Sequence, residues 1–281
     1  MNGWNGAPPG GWEETIALAL SEDIGTGDLT AAIFDPEQTS KGYIEAQASG
    51  VICGVGIAES IFADYAGVSV KPLVEDGATV KAETKVLQLS GPTAALLTHE
   101  RVALNFLMQL SGVATLTRRF VDEVAGTRAR IVDTRKTTPG LRSLQKYAVR
   151  CGGGHNHRMG LYDAPMIKDN HIAAAGSIKD AVAKMRANMP HTAKIEVEVD
   201  SPDQVQEAVD SGAEIILLDN MPPAMMAAIV RQYEGLPVIF EASGGINLDT
   251  VRSVAESGVH VISVGALTHS APSLSLHLEL E

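Results

Sequence analysis

An α/β architecture, with an incomplete (β/α) barrel behind a smaller N-terminal α+β domain, is what the sequence predicts, and three observations predict it. From about residue 128 onward, short apolar runs rich in β-branched residues (ARIVDTR, APMIKDN, KIEVEVD, EIILLDN, PVIFEASG, HVISVGAL) alternate with helical segments roughly a dozen residues long. Each run is closed by polar residues or glycine. Upstream, to about Pro92, the runs GYIEAQAS, VICGVGIA, VSVKPLV and KVLQLSG are separated by Gly and by the turn EDGATV, without the alternating helices. Parallel strands joined by right-handed crossovers close into a barrel or lie as an open sheet, and six or seven βα units favour the barrel.

In chain order, residues 1–11 form a Gly/Pro/Asn-rich leader, and Glu13 to Ser21 has a short helical pattern ending before EDIGTGDLT. Glu22, Asp23 and Asp28 read as a solvated cap and turn. Thr93 opens a helix with Leu97, Leu104 and Met108 on one stripe and a stop expected near Gly112, followed by a further helix, SGVATLTRRFVDEVAG. The expected division is therefore 1–112 and 113–281, with residues after about 270 returning to the N-terminal domain. Within the repeat, Ser201, Pro202 and Gln204 start one helix and Gly212 stops it, while Asn247 and Gly258 bracket the next.

With 34 acidic and 22 basic residues the formal net charge is −12, which excludes general affinity for nucleic acid. Cys53 and Cys151 have no CxxC spacing and read as reduced, partly buried thiols. No apolar run approaches the roughly 18 residues that span a bilayer, and the expected location is the cytoplasm.

Against that acidic background, residues 131–171 concentrate Arg135, Lys136, Arg142, His157, Arg158, Lys168 and His171, a local reversal of sign that suits a strongly anionic ligand. The strand ends Thr134-Arg135-Lys136, Lys168 to His171, Glu196 and Glu198, Asp219-Asn220, Ser243-Gly244-Gly245 and Gly265 to His269 converge on one rim if the barrel forms. Helix capping explains Asp219, Ser243 or Asn247 singly, but not Arg135, Lys136 and Lys168, which oppose the dipole of a helix N-terminus. The glycines of EASGGIN and SVGALTH leave backbone N–H groups open to a phosphate, in the first case ahead of a helix N-terminus. His155 and His157 lack a third ligand of zinc type. Glu198 and Asp219 suit Mg²⁺ or ribose hydroxyls, although spacing does not choose between Glu196 and Glu198. Arg101 falls on the apolar stripe of its helix, where a guanidinium must snorkel, pair or reach a ligand.

In order and spacing, DTRKTTPGLRSLQKYAV, CGGGHNHRMGLYDAPMIKDNH, EVEVD, ILLDN, EASGGI and VGALTHS resemble the quinolinate phosphoribosyltransferase family, as do EDIGTGDLT and HERVALNFL upstream. The leader and the tail SLSLHLELE depart most from the pattern. The resemblance implies a type II phosphoribosyltransferase barrel that joins quinolinate to phosphoribosyl pyrophosphate with loss of CO₂, giving nicotinate mononucleotide, without an organic cofactor but with Mg²⁺. It implies quinolinate contacts from Thr134, Arg135, His157, Arg158 and Lys168, with Arg101 supplied by the neighbouring subunit of a homodimer. For phosphoribosyl pyrophosphate it implies Ser243, Gly244, Gly245 and Gly265 at the 5-phosphate, Lys136, Lys168 and His171 at the pyrophosphate, Glu198 and Asp219 at the ribose and Mg²⁺, and His269 as a further contact. Lys136, Lys168, Glu198 and Asp219 are the expected catalytic groups.

Overall fold

The computed structural model describes residues 11–281, so the leader expected over 1–11 lies, apart from Gly11, outside the described residues. The chain divides into two compact units: one holds the chain through Arg118, Thr137–Gly153 and Leu267–Glu281, the other Arg119–Lys136 and Gly154–Ala266. The boundary expected at residue 112 falls inside a helix.

The first unit contains α1 (Glu13–Ile24), β1 (Thr39–Ala46), β2 (Gly50–Val51), α2 (Val55–Ala63), β3 (Ser69–Pro72), β4 (Thr79–Val80), β5 (Lys85–Pro92), α3 (Thr93–Glu123, which runs on into the second unit), α4 (Arg142–Cys151) and β12 (Leu276–Leu280). Its main sheet has the order β12-β1-β5-β3 and is antiparallel throughout. Period-2 patterning explains most of it: Ile44 and Ala46 of β1 and Leu87 and Leu89 of β5 are buried with less buried positions between them, and the pattern breaks only at Val86, buried beside Leu87 where the β1–β5 register shifts. The C-terminal tail, from His277 to Leu280, alternates in the same way and pairs with β1 from Gly42↔Leu280 to Ala46↔Leu276.

Two sequence expectations fail here for identifiable reasons. VICGVGIA is not one strand: the chain leaves β2 and turns at Gly54 (φ 104°) into α2. The cap of α2 is not local, because Asp76 Oδ1 accepts the N–H groups of Gly54 and Val55 at 2.8 and 2.9 Å from 22 and 21 residues downstream. Nor does Gly112 stop a helix, since α3 is continuous over 31 residues. A Cβ at Gly112 would lie 2.2 Å from the Pro272 carbonyl oxygen and 2.9 Å from Ser273 Cα, so this glycine admits the returning C-terminal chain. Gly112→Ala is therefore expected to destabilise the protein by about 1–3 kcal/mol, because the obstacle is backbone and not a flexible side chain. Urea unfolding checks this, and an unchanged midpoint would refute it.

The second unit is the βα repeat: β6 (Arg130–Val132), β7 (Met166–Ile167), α5 (Asp169–Ala175), α6 (Ile178–Asn188), β8 (Glu196–Val199), α7 (Pro202–Asp210), β9 (Ile215–Asp219), α8 (Pro223–Gln232), β10 (Ile239–Ser243), α9 (Val251–Glu256) and β11 (Val261–Ser263), with α10 (Ala266–His269) beginning at its end. The six strands are parallel in the order β6-β11-β10-β9-β8-β7; β6 and β7 do not pair with each other, which leaves the barrel incomplete, and the free side of β6 takes only a single parallel bridge from His155 to Val132. Ile131, Ile167, Val197, Ile216, Leu218, Phe240, Ala242 and Ile262 are buried along these strands and form the core against the helices. The helix stops follow the sequence, with Gly212 and Gly258 ending their helices at positive φ, but the starts do so only in part: Gln204 accepts from Asp200 N–H at 2.9 Å, whereas Ser201 makes no side-chain cap and α9 starts at Val251, past Asn247. Because the strands run parallel, their C-terminal ends share one rim.

Candidate active site

At that rim lies a cavity of about 460 Å³, ample for a small ligand. Thr134, Arg135, Lys136, His157, Arg158, Lys168, Glu198, Asp219, Ser243, Gly244 and Gly245 all line it. Residues spread over more than a hundred positions thus meet because most lie at or just past the C-terminal end of a parallel strand, while His157 and Arg158 follow the single bridge of His155 to Val132.

After β6 the chain is held by Asp133, which is fully buried. Its carboxylate accepts from His157 N–H at 3.0 Å and from Asn156 Nδ2 at 2.5 Å, anchoring the segment that carries His157 and Arg158. Thr134 Oγ1 accepts from Lys136 N–H at 3.0 Å and tightens the turn bearing both cations. Arg158 donates from Nη1 to the Ala164 carbonyl at 2.8 Å and from Nη2 to Met166 sulfur at 3.4 Å, which fixes the plane of its guanidinium. Burial, and next the neighbouring Arg135, pull its pKa down, although it stays a cation; the two guanidiniums repel each other until an anion is shared between them.

His157 Nε2 faces two buried carboxylates, Glu196 Oε2 and Glu241 Oε1, each at 3.4 Å. Burial opposes a charged ring, yet hydrogen bonding and attraction to these carboxylates outweigh it and push the pKa of His157 up to about 10. Burial also raises the pKa of Glu196, so the trio retains protons that isolated groups would release. Arg158 N–H donates to His157 Nδ1 at 2.7 Å, so the neutral ring keeps its proton on Nε2, and full protonation gives up that contact. Because the folded pKa is raised above 6.5, the stability that His157 contributes is fully present below that value and is lost as pH rises through about 10. We expect the His157 ring signals in an NMR titration to show no transition near 6.5 and to move towards about 10, and Glu196→Gln to bring the transition down. A wild-type transition at the ordinary value would contradict the geometry.

Lys168 Nζ is in contact with Glu198 Oε2. Lys168 is two-fifths exposed, so this pair adds little to stability, and an arriving anion can draw the ammonium away and leave Glu198 to other partners. Asp219 ends β9 and accepts from the Nδ2 of Asn220, which adopts φ 53°. Gly244 has φ 94°, and a Cβ there would lie 2.3 Å from Asn220 Oδ1, so glycine is required; Gly245 follows at φ 61°. Two consecutive positive-φ glycines after Ser243 turn bare backbone towards the cavity. The helix expected directly behind them starts only at Val251, because Asn247 Oδ1 first takes the N–H groups of Asp249 and Thr250 in a turn. The backbone at this strand end is thus presented by a glycine turn and not by a helix N-terminus.

Four expected residues do not line the cavity. His171 Nδ1 accepts from Lys168 N–H at 3.0 Å and caps α5. Gly265 lies past the end of β11, where Ser263 lines the cavity instead. His269 belongs to the first unit, with Nδ1 2.6 Å from Ser270 Oγ. Arg101, also in the first unit, is not on a buried stripe: Leu96, Ala103, Leu107 and Leu110 form the fully buried face of α3, and Arg101 is exposed with Glu100 at 3.9 Å. Spacing alone does not single out Glu241 and does not choose between Glu196 and Glu198. A carboxylate inside the apolar run VIFEAS was the available signal, since a buried charge in a strand needs a partner.

The arrangement combines fixed cations for carboxylates and phosphates, a glycine turn for a phosphate, and two rim carboxylates, Glu198 and Asp219, whose hard oxygens fit a divalent cation or sugar hydroxyls.

Comparison with known proteins agrees with this chemistry. Residues 28–111 match the model of the quinolinate phosphoribosyl transferase N-terminal domain and residues 113–279 that of its C-terminal domain. The chain is 45% identical over 264 residues to the probable nicotinate-nucleotide pyrophosphorylase (carboxylating) of Bacillus subtilis, covering 92% of this chain and 90% of that protein. It is 44% identical over 274 residues to the nicotinate-nucleotide pyrophosphorylase (carboxylating) of Mycobacterium leprae, covering 95% and 96%. The solved structure of the nicotinate-nucleotide pyrophosphorylase from Francisella tularensis superposes with a TM-score of 0.92 at 36% identity, covering 95% of each chain. With both domain models matched in sequence order and the cationic rim in place, the chain belongs to the quinolinate phosphoribosyl transferase family.

Proposed function

We propose that the rim cavity binds quinolinate and phosphoribosyl pyrophosphate together, and that the enzyme transfers the phosphoribosyl group with decarboxylation to give nicotinate mononucleotide, pyrophosphate and CO₂ in the synthesis of NAD. The observation that carries this reading is the convergence of Arg135, Arg158, Lys136 and Lys168 with the Ser243–Gly245 turn on one cavity. Quinolinate is planar with two adjacent carboxylates, which the guanidinium forks of Arg135 and Arg158 pair with, assisted by His157 and Thr134. Ser243, Gly244 and Gly245 hold the 5-phosphate, with Gly265 assigned to the same side by the family pattern alone; His171 is likewise assigned to the pyrophosphate, and His269 to phosphoribosyl pyrophosphate.

Glu198 and Asp219, directly or through water, would hold Mg²⁺, which supplies charge neutralisation to the pyrophosphate. Lys136 and Lys168 stabilise the leaving pyrophosphate as the bond to ribose C1 breaks through an oxocarbenium-like state and the pyridine nitrogen attacks the opposite face. The quaternised ring then loses its 2-carboxylate as CO₂, and the ring carbon left behind takes up a proton. Glu196 and Glu241 hold the His157 ring in place throughout.

Arg101 reaches the site of the neighbouring subunit in a homodimer, and the protein works in the cytoplasm. No helix among the described residues is long and apolar enough to cross a membrane. Arg101→Ala and Lys168→Ala proteins, each inactive, should recover about a quarter of wild-type activity after subunit exchange, because half of the dimers are mixed and each mixed dimer carries one intact site. No recovery despite verified exchange would refute the shared site. The function itself is tested by purified protein with phosphoribosyl pyrophosphate, Mg²⁺ and either quinolinate or nicotinate. Product from quinolinate alone supports the assignment, and product from nicotinate in its place overturns it.

A further inference from the structure

Cys53, Asp76 and Cys151 of the first unit bring two sulfurs and a carboxylate oxygen within 4.8 Å of one another, and none of the three is among the residues assigned to the reaction. Cys53 is fully buried between β2 and α2, and its backbone is clamped to α3: its N–H donates to Ser111 Oγ at 2.9 Å, and the Ser111 hydroxyl donates to its carbonyl at 3.3 Å. Cys151 is the last residue of α4 and is half-buried.

A metal centre fits these residues poorly. Asp76 Oδ1 already accepts from Gly54 and Val55 N–H, and Asp76 Oδ2 accepts from the Tyr147 hydroxyl at 2.5 Å. Two thiols remain, where a zinc site takes four ligands. Two thiols at this separation, one fixed and one accessible, have the makings of a disulfide instead.

We propose that Cys53 and Cys151 are a redox-active pair that closes reversibly to a disulfide on reaction with a low-molecular-weight disulfide such as oxidised glutathione. The Cys151 thiolate attacks one sulfur of the oxidant, breaking its S–S bond and releasing one thiol. Cys53 then gives its proton to Asp76, its sulfur attacks Cys151 Sγ, and the second thiol leaves after receiving that proton. Two protein thiols are oxidised and one external disulfide becomes two thiols, so the electrons balance. Burial, first, and the neighbouring Cys151 raise the Cys53 pKa, which makes Cys53 the resolving partner and not the attacker. Burial likewise raises the Asp76 pKa, which favours its role as the transient proton acceptor. The bridge would tie the start of α2 to the end of α4. From there the chain passes through Gly152 and Gly153 into the segment that carries His157 and Arg158, so oxidation acts on the covalent lead-in to the cation cluster.

The test equilibrates the intact reduced protein with glutathione buffers of rising oxidised fraction, quenches with acid, alkylates under denaturing conditions and weighs the protein. Both thiols are expected to disappear together, with a mass lower by two hydrogens, no glutathione adduct, and full reversal by dithiothreitol. Cys53→Ala should accumulate the adduct on Cys151, and Cys151→Ser should leave Cys53 unreacted. The wild-type mass alone decides even if a variant fails to fold. A persistent adduct on Cys151 beside a reduced Cys53, two thiols unreacted in fully oxidised glutathione, or a co-purified zinc ion that protects both thiols would each overturn the proposal.

Discussion

Lys168→Ala is expected to lower kcat/KM about a thousandfold while leaving the unfolding midpoint close to wild type. Removing one preorganised group that stabilises developing charge costs on the order of 10²–10³ in rate. Here the loss is compounded: Lys168 is the contact of Glu198, and its removal leaves that carboxylate facing a ligand with several negative charges. Stability should change by no more than about 0.5 kcal/mol, because an exposed ion pair contributes little. Steady-state kinetics with both substrates and a thermal melt check the two halves. A large loss of stability accompanying the loss of activity would mean that Lys168 is structural.

Arg158→Lys should raise the KM for quinolinate about a hundredfold, with a smaller effect on the KM for phosphoribosyl pyrophosphate. The guanidinium uses Nη1 on the Ala164 carbonyl and Nη2 on Met166 sulfur, and the geometry of those contacts aims the rest of the fork into the cavity. An ammonium is a point donor that can serve either the anchor or the ligand, but not both in the same plane. A variant with unchanged quinolinate KM would show that the carboxylates are met elsewhere. Titrating KM against pH adds a control: the His157 charge, with its pKa pushed up to about 10, should not contribute a transition near 6.5.

Much of the barrel was legible because its signals are local. A parallel strand buried on both faces reads as a continuous apolar run, and the residue that ends it is polar because it meets the rim; Thr134, Lys168, Asp219 and Ser243 were placed that way. What escaped depends on contacts remote in sequence. The start of α2 is capped by Asp76 and not by a neighbour, so the chain after Cys53 looked like more strand. Gly112 carried the mark of a helix end but serves an approach by Pro272. Arg101 looks misplaced if Leu97, Leu104 and Met108 form the buried stripe, whereas the deepest face is Leu96, Ala103, Leu107 and Leu110. Glu241 was hidden by its surroundings: its acidity is unremarked in an apolar strand until His157 is seen 3.4 Å away.

The cation cluster and the rim carboxylates define one chemical claim, that a dicarboxylated pyridine loses one carboxylate only after its nitrogen has been ribosylated. Quinolinate labelled at the 2-carboxylate, incubated with enzyme, phosphoribosyl pyrophosphate and Mg²⁺, measures this directly. The account predicts equal amounts of labelled CO₂, nicotinate mononucleotide and pyrophosphate, with no labelled CO₂ when phosphoribosyl pyrophosphate is omitted. Labelled CO₂ released without it, or a nucleotide that retains the label, would contradict the account.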